Sequence, residues 1–242
     1  MKTKKVLRAL FVLSLSLVAT GCRNQNASIS SQDSSLSSTT SQSTTKESSK
    51  KDYKAFYKPI FDDYKKILST PKDISKIVDL YKTLNATDCP MNSWSVENAV
   101  FQADKLRYVY SDLNQDGVEE LLIGVEQSSG GYFISGLYYL VNEKPVLLAE
   151  GFVAGHGGAR NAMNIYQGGD ILELSWSSGT GEGRGVLYHL NANQQAASKL
   201  QEQDIRVPGN NSLHADFGKT EAEMLDFNQL DWQKFETSTS SK

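Results

Sequence analysis

Apolar residues at spacings of three and four in the first third of the globular region, then period-two alternation broken by Gly-rich turns, predict an α+β fold. In this arrangement N-terminal helices pack on one face of a twisted antiparallel β-meander and a C-terminal helix completes the layer. A Ser/Thr-rich tract ahead of residue 52 and a short polar tail at 237–242 leave 52–236 as a single domain, long enough for a real core.

The elements follow in order. Phe56, Tyr57, Ile60, Phe61, Tyr64, Ile67 and Leu68 define an amphipathic helix over Tyr53–Leu68, with Pro59 either kinking it or marking its first turn. After Pro71, residues Ile74, Ile77, Val78, Leu80, Tyr81 and Leu84 set one side of a second helix. Asn85 to Ser95 reads as a loop, followed by a short helix near Val96–Ala103. From Leu106 the residues become β-branched and aromatic, predicting strands at Leu106–Tyr110, Glu120–Glu126, Tyr132–Val141, Val146–Val153, Ala162–Tyr166, Ile171–Trp176 and Gly185–Leu190. The turns between them, among them Asn-Gln-Asp-Gly, Ser-Ser-Gly-Gly and Gln-Gly-Gly-Asp, are those of hairpins. A last helix is expected from Thr220, with Glu221 and Glu223 in its first turn and Leu225, Phe227, Leu230, Trp232 and Phe235 as its apolar residues.

Ahead of the domain stand a basic start of Lys2, Lys4, Lys5 and Arg8 and an apolar run from Val6 to Ala19, too short to span a bilayer and of signal-peptide length. Ala19-Thr20-Gly21-Cys22 resembles the lipobox of bacterial lipoproteins, with Ala19 where Leu is commonest. The resemblance implies cleavage after residue 21 and acylation of Cys22, which would become the first residue of the mature chain. Residues 22–51 are about half Ser and Thr after the cysteine and carry too little apolar surface to offset backbone entropy, so they should form a disordered tether. Such a tether has a root-mean-square span of roughly 30 Å and a stretched reach of about 100 Å. The expected location is the extracytoplasmic face of a cell membrane, held in the lipid bilayer through Cys22 by two or more acyl chains.

The whole chain carries 25 Lys and Arg against 28 Asp and Glu, and loss of the four cations in residues 1–21 leaves a balance near −7. That sign argues against nucleic acid or an anionic bilayer surface as the ligand. With Cys22 acylated, Cys89 is the one remaining thiol of the two cysteines, a reactive group, a buried side chain or a position tolerated by chance.

Asp112, Asn114 and Asp116, then Gly117, Val118 and Glu120, fall at positions one, three, five, six, seven and nine of one loop. Oxygen ligands at that spacing, with the Val118 carbonyl as the backbone member, suit a hard cation, and calcium is the expected ion. The pattern resembles the first half of an EF-hand loop and the strand-flanked loops of integrin-type repeats. Position twelve is Ile123 where an EF-hand carries Glu, and the motif occurs once, so neither an EF-hand nor a propeller is implied. Asp, Asn and Gly are also ordinary turn formers, and the same carboxylates can cap backbone amides with no metal.

Leu106 to Gly124 as a whole is similar to a Tyr-x-Tyr-x-Asp-Ile-Asp-Gly-Asp-Gly-x-x-Glu-Leu-Leu-Ile segment of uncharacterised surface lipoproteins of Gram-positive bacteria. Ile165-Tyr-x-Gly-Gly-Asp-Ile-Leu172, Ser177-Ser-Gly-Thr-Gly181 and Leu230-Asp-Trp-Gln-Lys-Phe235 extend the resemblance over about half of the chain. It implies export, anchoring and the acidic loop, and carries no activity with it.

His156, in Gly155-His-Gly-Gly158 with Arg160 nearby, is the best candidate for an active imidazole, and Cys89 is a conceivable nucleophile for it. His156, His189 and His214 have no zinc-ligand spacing. Ser177 to Arg184 lacks the Gly-Lys-Ser/Thr ending of a phosphate loop. The expectation is therefore a non-catalytic surface module that binds a surface protein or a glycan, with aromatics such as Tyr132, Phe133, Tyr138, Tyr139, Tyr166, Trp176 and Tyr188 as a stacking platform where exposed. An extracytoplasmic hydrolase or cell-wall-modifying enzyme is the alternative. A solute-binding lipoprotein is a third class, but the parallel-sheet rhythm of its two lobes is absent.

Overall fold

The computed structural model describes residues 52–84, 90–155, 158–208 and 213–236. The architecture is α+β, with N-terminal helices against two stacked antiparallel sheets. A 3-10 turn at Tyr53–Tyr57 runs into α1 (Lys58–Ser69), so Pro59 lies in the first turn, where its missing N–H is harmless. Helix α2 (Ile74–Leu84) follows. Helix α3 (Ser93–Phe101) starts earlier than its apolar residues suggest, because the Asn92 side chain accepts from the Trp94 amide at 2.9 Å and caps it.

Strands β1 (Leu106–Ser111), β2 (Glu120–Glu126), β3 (Tyr132–Val141) and β4 (Lys144–Glu150) form the first sheet in that order. The second comprises β5 (Phe152–Val153), β6 (Ala159–Tyr166), β7 (Asp170–Ser177), β8 (Glu182–His189) and β9 (Ser198–Arg206). The predicted strand Val146–Val153 is thus two strands in different sheets, divided at Gly151. A Cβ there would stand 2.1 Å from the Ile134 carbonyl oxygen, so only glycine lets the chain cross at this point. Strand β9 has no counterpart among the expected elements. It is the outermost strand, and its sequence SKLQEQDIR is almost entirely polar.

The C-terminal region differs from the single helix expected from Thr220. A short helix, α4 (Leu213–Asp216), precedes two 3-10 turns at Glu221–Glu223 and Phe227–Gln229 and a terminal strand β10 (Gln233–Lys234). Thr220 and Glu223 do form the capping box, but the Leu225 amide then donates to Ile165 O at 2.9 Å and draws the chain along the second sheet. β10 pairs with β1 and becomes the edge of the first sheet.

Alternation along the strands sorts side chains into three apolar layers. Leu106, Leu121, Ile123, Val125 and Tyr138 face the helices with Tyr57, Ile60, Tyr64 and Ile67. Val109, Leu122, Leu137 and Ala149 meet Met163, Ile165 and Ile171 between the sheets. Leu172, Leu174, Leu187 and Ile205 on the far face of the second sheet are covered by Phe217. Among the described residues no helix is long and apolar enough to cross a membrane.

Candidate functional site

The acidic loop joins β1 to β2, and its fold is driven by its own side chains. Asp112 accepts from the Asp116 amide at 3.0 Å and the Gly117 amide at 2.9 Å, and Asp116 accepts from the Val118 amide at 2.8 Å. Gly117 takes φ +87°, which an L side chain rarely adopts. Asn114 donates to Asn191 O at 3.3 Å, and the second oxygen of Asp116 accepts from the Asn193 amide at 2.9 Å. These bonds dock the loop against the turn between β8 and β9.

Glu120, 4% exposed, accepts from the Leu113 amide at 2.9 Å. Burial pushes its carboxyl up to about 8, and the charges of Asp116 and Asp112 add to the rise against the pull of the Leu113 amide. The expected ligands Asp112, Asn114, Asp116, Val118 and Glu120 therefore share one loop, but the side chains of Asp112, Asn114, Asp116 and Glu120 accept from backbone amides. Among the described residues no three His, Cys, Asp or Glu side chains are grouped closely enough to hold a metal ion. Capturing one would require these carboxylates to turn toward one another. Each carboxylate retains lone pairs beyond those used here, and an all-oxygen donor set suits calcium.

Beside this loop lies an open groove of about 290 Å³. Its floor is made of Phe61 from α1, Tyr108 and Tyr110 from β1, and Phe235 just after β10. Phe61 meets Tyr108 edge-on at 4.8 Å, and Phe235 lies 5.1 Å from Tyr108 and stacks on Tyr64 at 5.3 Å. Lys54, Lys58 and Lys65 line its wall. Lys54 sits 4.8 Å over the Tyr110 ring and pairs with Glu119 of the acidic loop at 2.8 Å. The Tyr57 hydroxyl donates to Glu119 O at 3.0 Å, so groove and loop share a boundary. A second shallow groove of about 340 Å³ runs along Phe101, Phe133 and Val153, where the Asn98 side chain bonds both the amide and the carbonyl of Val153.

A third cluster joins residues distant in sequence. Asp170 and His189 are opposite partners on β7 and β8, with Asp170 accepting from His189 Nδ1 at 2.6 Å and ion-paired to Lys219 through its other oxygen. Burial opposes ionisation of Asp170, but the hydrogen bonds from Lys219 and His189 outweigh it and hold its carboxyl below the usual range. Tyr166, across the β6–β7 turn, shares a 2.8 Å hydrogen bond with His214. The acid-to-imidazole bond has the form of an orienting pair, but Asp170 is also tied to a lysine, as in an ion-paired scaffold.

Cys22, Cys89 and His156 lie outside the described residues. Arg160 donates to the carbonyls of Ala154 at 2.7 Å and Ala159 at 3.1 Å, closing the β5–β6 turn. Of the aromatics named for a stacking platform where exposed, Phe133 lines the second groove and Tyr188 is half-buried. Tyr138, Tyr139 and Tyr166 are buried, Trp176 packs on the far-face core, and Tyr132 stacks on Trp232 at 4.3 Å. No family model matches this chain, and neither the curated proteins nor the solved structures yield a significant match. The groove escaped sequence reasoning because its residues come from four separate elements. The only hint was the alternation of Tyr108 with Tyr110 in a strand flanked by core positions.

Proposed function

We propose that this chain is a lipoprotein anchored through Cys22 in a bilayer on the extracytoplasmic side, and that its domain is a non-catalytic module binding a surface protein or a glycan. The observation that carries the binding reading is the lysine-walled aromatic groove, a concave surface joining ring faces to cations. Calcium at Asp112, Asn114, Asp116, Val118 and Glu120 would stiffen the loop that supports the Lys54 side of that groove. Support comes from three carboxylates, Asp112, Asp116 and Glu120, carried on one loop, where the charges of Asp116 and Asp112 act on Glu120 and a divalent cation would offset them.

The test uses full-length chain carrying Cys22→Ser, mixed with washed envelopes of the cell that makes it. Retention that falls at least fivefold on adding Phe61→Ser and Tyr108→Ser supports the groove, whereas unchanged retention rejects it. In parallel, millimolar calcium should raise the melting temperature by a few degrees relative to chelator, and Asp112→Ala with Asp116→Ala should abolish that rise. At about 1 mM calcium a site of about 0.1 mM affinity contributes about 1.4 kcal/mol. Identical melting in calcium and chelator removes the metal from the account.

A further inference from the structure

The geometry points to an anionic saccharide chain as the ligand of the aromatic groove, an assignment that rests on the binding reading above and narrows it. Two features of the lining select the class. The first is charge. Three lysines and one carboxylate, Glu236, line the groove, in a chain whose overall balance is −3. The carboxylates that pair with those lysines, Glu119 with Lys54 and Asp62 with both Lys58 and Lys65, are not part of the lining. The lysine side chains are 48%, 74% and 58% exposed for Lys54, Lys58 and Lys65, so these pairs hold weakly and an incoming anion can compete for the ammonium groups.

The second feature is ring geometry. Phe61, Tyr108 and Phe235 contact one another edge-on or tilted, at 4.8 Å for Phe61 with Tyr108, 5.1 Å for Tyr108 with Phe235 and 5.6 Å for Phe61 with Phe235. Packed this closely and at 50–88° to one another, they leave no space for a further ring to enter between them. They form a half-buried floor on which the C–H face of a puckered sugar can lie, while carboxylate or other acidic substituents reach Lys54, Lys58 and Lys65 in the lining. An open groove also suits a chain passing through it better than a small molecule enclosed on all sides.

The experiment titrates full-length chain carrying Cys22→Ser with oligogalacturonate, with neutral dextran of the same length and with oligothymidylate, by calorimetry at 50 and 200 mM salt. Oligogalacturonate should bind at least tenfold more tightly than dextran and the oligonucleotide, and weaken at least threefold at the higher salt. Lys58→Ala with Lys65→Ala should weaken it at least fivefold with an unchanged melting temperature, since both side chains are exposed. Tyr108→Ser should abolish it. Dextran binding that equals oligogalacturonate and ignores the lysine substitutions overturns the acidic class while leaving the groove as a binding surface. Tighter oligonucleotide binding, or no oligogalacturonate binding by a chain whose envelope retention still depends on Phe61 and Tyr108, likewise overturns the class alone. Failure of both assays overturns the binding reading with it.

Discussion

The hydroxyl of Tyr57 donates to the carbonyl oxygen of Glu119 at 3.0 Å, and through that bond the first helical turn of the domain holds the acidic loop. Tyr57 is fully buried, and burial, aided by the nearby charge of Glu120, raises its hydroxyl well above the ordinary tyrosine range. The hydroxyl therefore serves as a neutral donor. Tyr57→Phe keeps the ring packing and removes the donor, with an expected loss of about 1 kcal/mol. For a domain of this size that is a fall of about 2–4 °C in melting temperature, measurable by scanning calorimetry. Unchanged melting would show that the loop is held without this bond.

Glu150 makes stability depend on pH. Its carboxylate accepts from the Asn92 amide at 2.8 and 3.0 Å ahead of α3, yet burial pushes the carboxyl up to about 7, with Glu173 adding to the rise. An unfolded Glu loses its proton near pH 4.3. The contribution of this group is therefore complete below about pH 4.3 and is lost as pH climbs toward 7, because the unfolded chain releases the proton first. Urea unfolding at pH 5, 6, 7 and 8 should show stability falling, with a shallower fall in Glu150→Gln. Parallel curves for the two proteins would assign the slope to other groups.

Gly151 tests the division of the sheets. A methyl group 2.1 Å from Ile134 O has no room, and the Gly151 amide is already bonded to Ser135 O at 3.2 Å. Gly151→Ala should cost at least the upper end of about 1–3 kcal/mol for overpacking. Gly155→Ala, whose Cβ meets nothing within 4 Å, is the control and should cost much less. Equal denaturation midpoints would contradict the crossing geometry.

Asp170→Asn addresses the cluster on the second sheet. It leaves Lys219, whose side chain is 16% exposed, without its ion-pair partner, and turns a charge-assisted contact with His189 into a neutral one. The expected loss is about 2 kcal/mol near neutral pH. Because Asp170 is held below its ordinary range, the wild-type advantage is present above about pH 4 and disappears as pH falls below it. Equal stability of the two proteins at pH 7, with the difference appearing only in acid, would contradict that sign.

Some of this architecture is legible because it is local. Helices α1 and α2 declare themselves by apolar spacing, and β2 and β3 by β-branched and aromatic runs. The acidic loop is equally plain, since the bonds of Asp112 and Asp116 to the amides of Asp116, Gly117 and Val118 all span a few positions, while only the docking bonds to Asn191 and Asn193 are long-range. Other features leave no such trace. The alternation continues across Ala149, Glu150, Gly151 and Phe152, so nothing in the spacing announces a change of sheet. Strand β9 buries Ile205 alone and reads as polar chain.

The chain's own residues marked out helices α1 and α2, most of its strands and the acidic loop, and carried the expectation of a lipidated Cys22 at the head of a polar tether. Those features depend on neighbours a few positions apart, where backbone geometry and spacing act directly. Only the tertiary structure decided that Phe61, Tyr108, Tyr110 and Phe235 share one groove, that Asp170 meets both His189 and Lys219, and that the segment after Thr220 runs along the sheets as turns and a strand. Each of those outcomes was set by contacts between residues far apart in the chain. Their free energy outweighs local preference, and no short stretch of sequence encodes it.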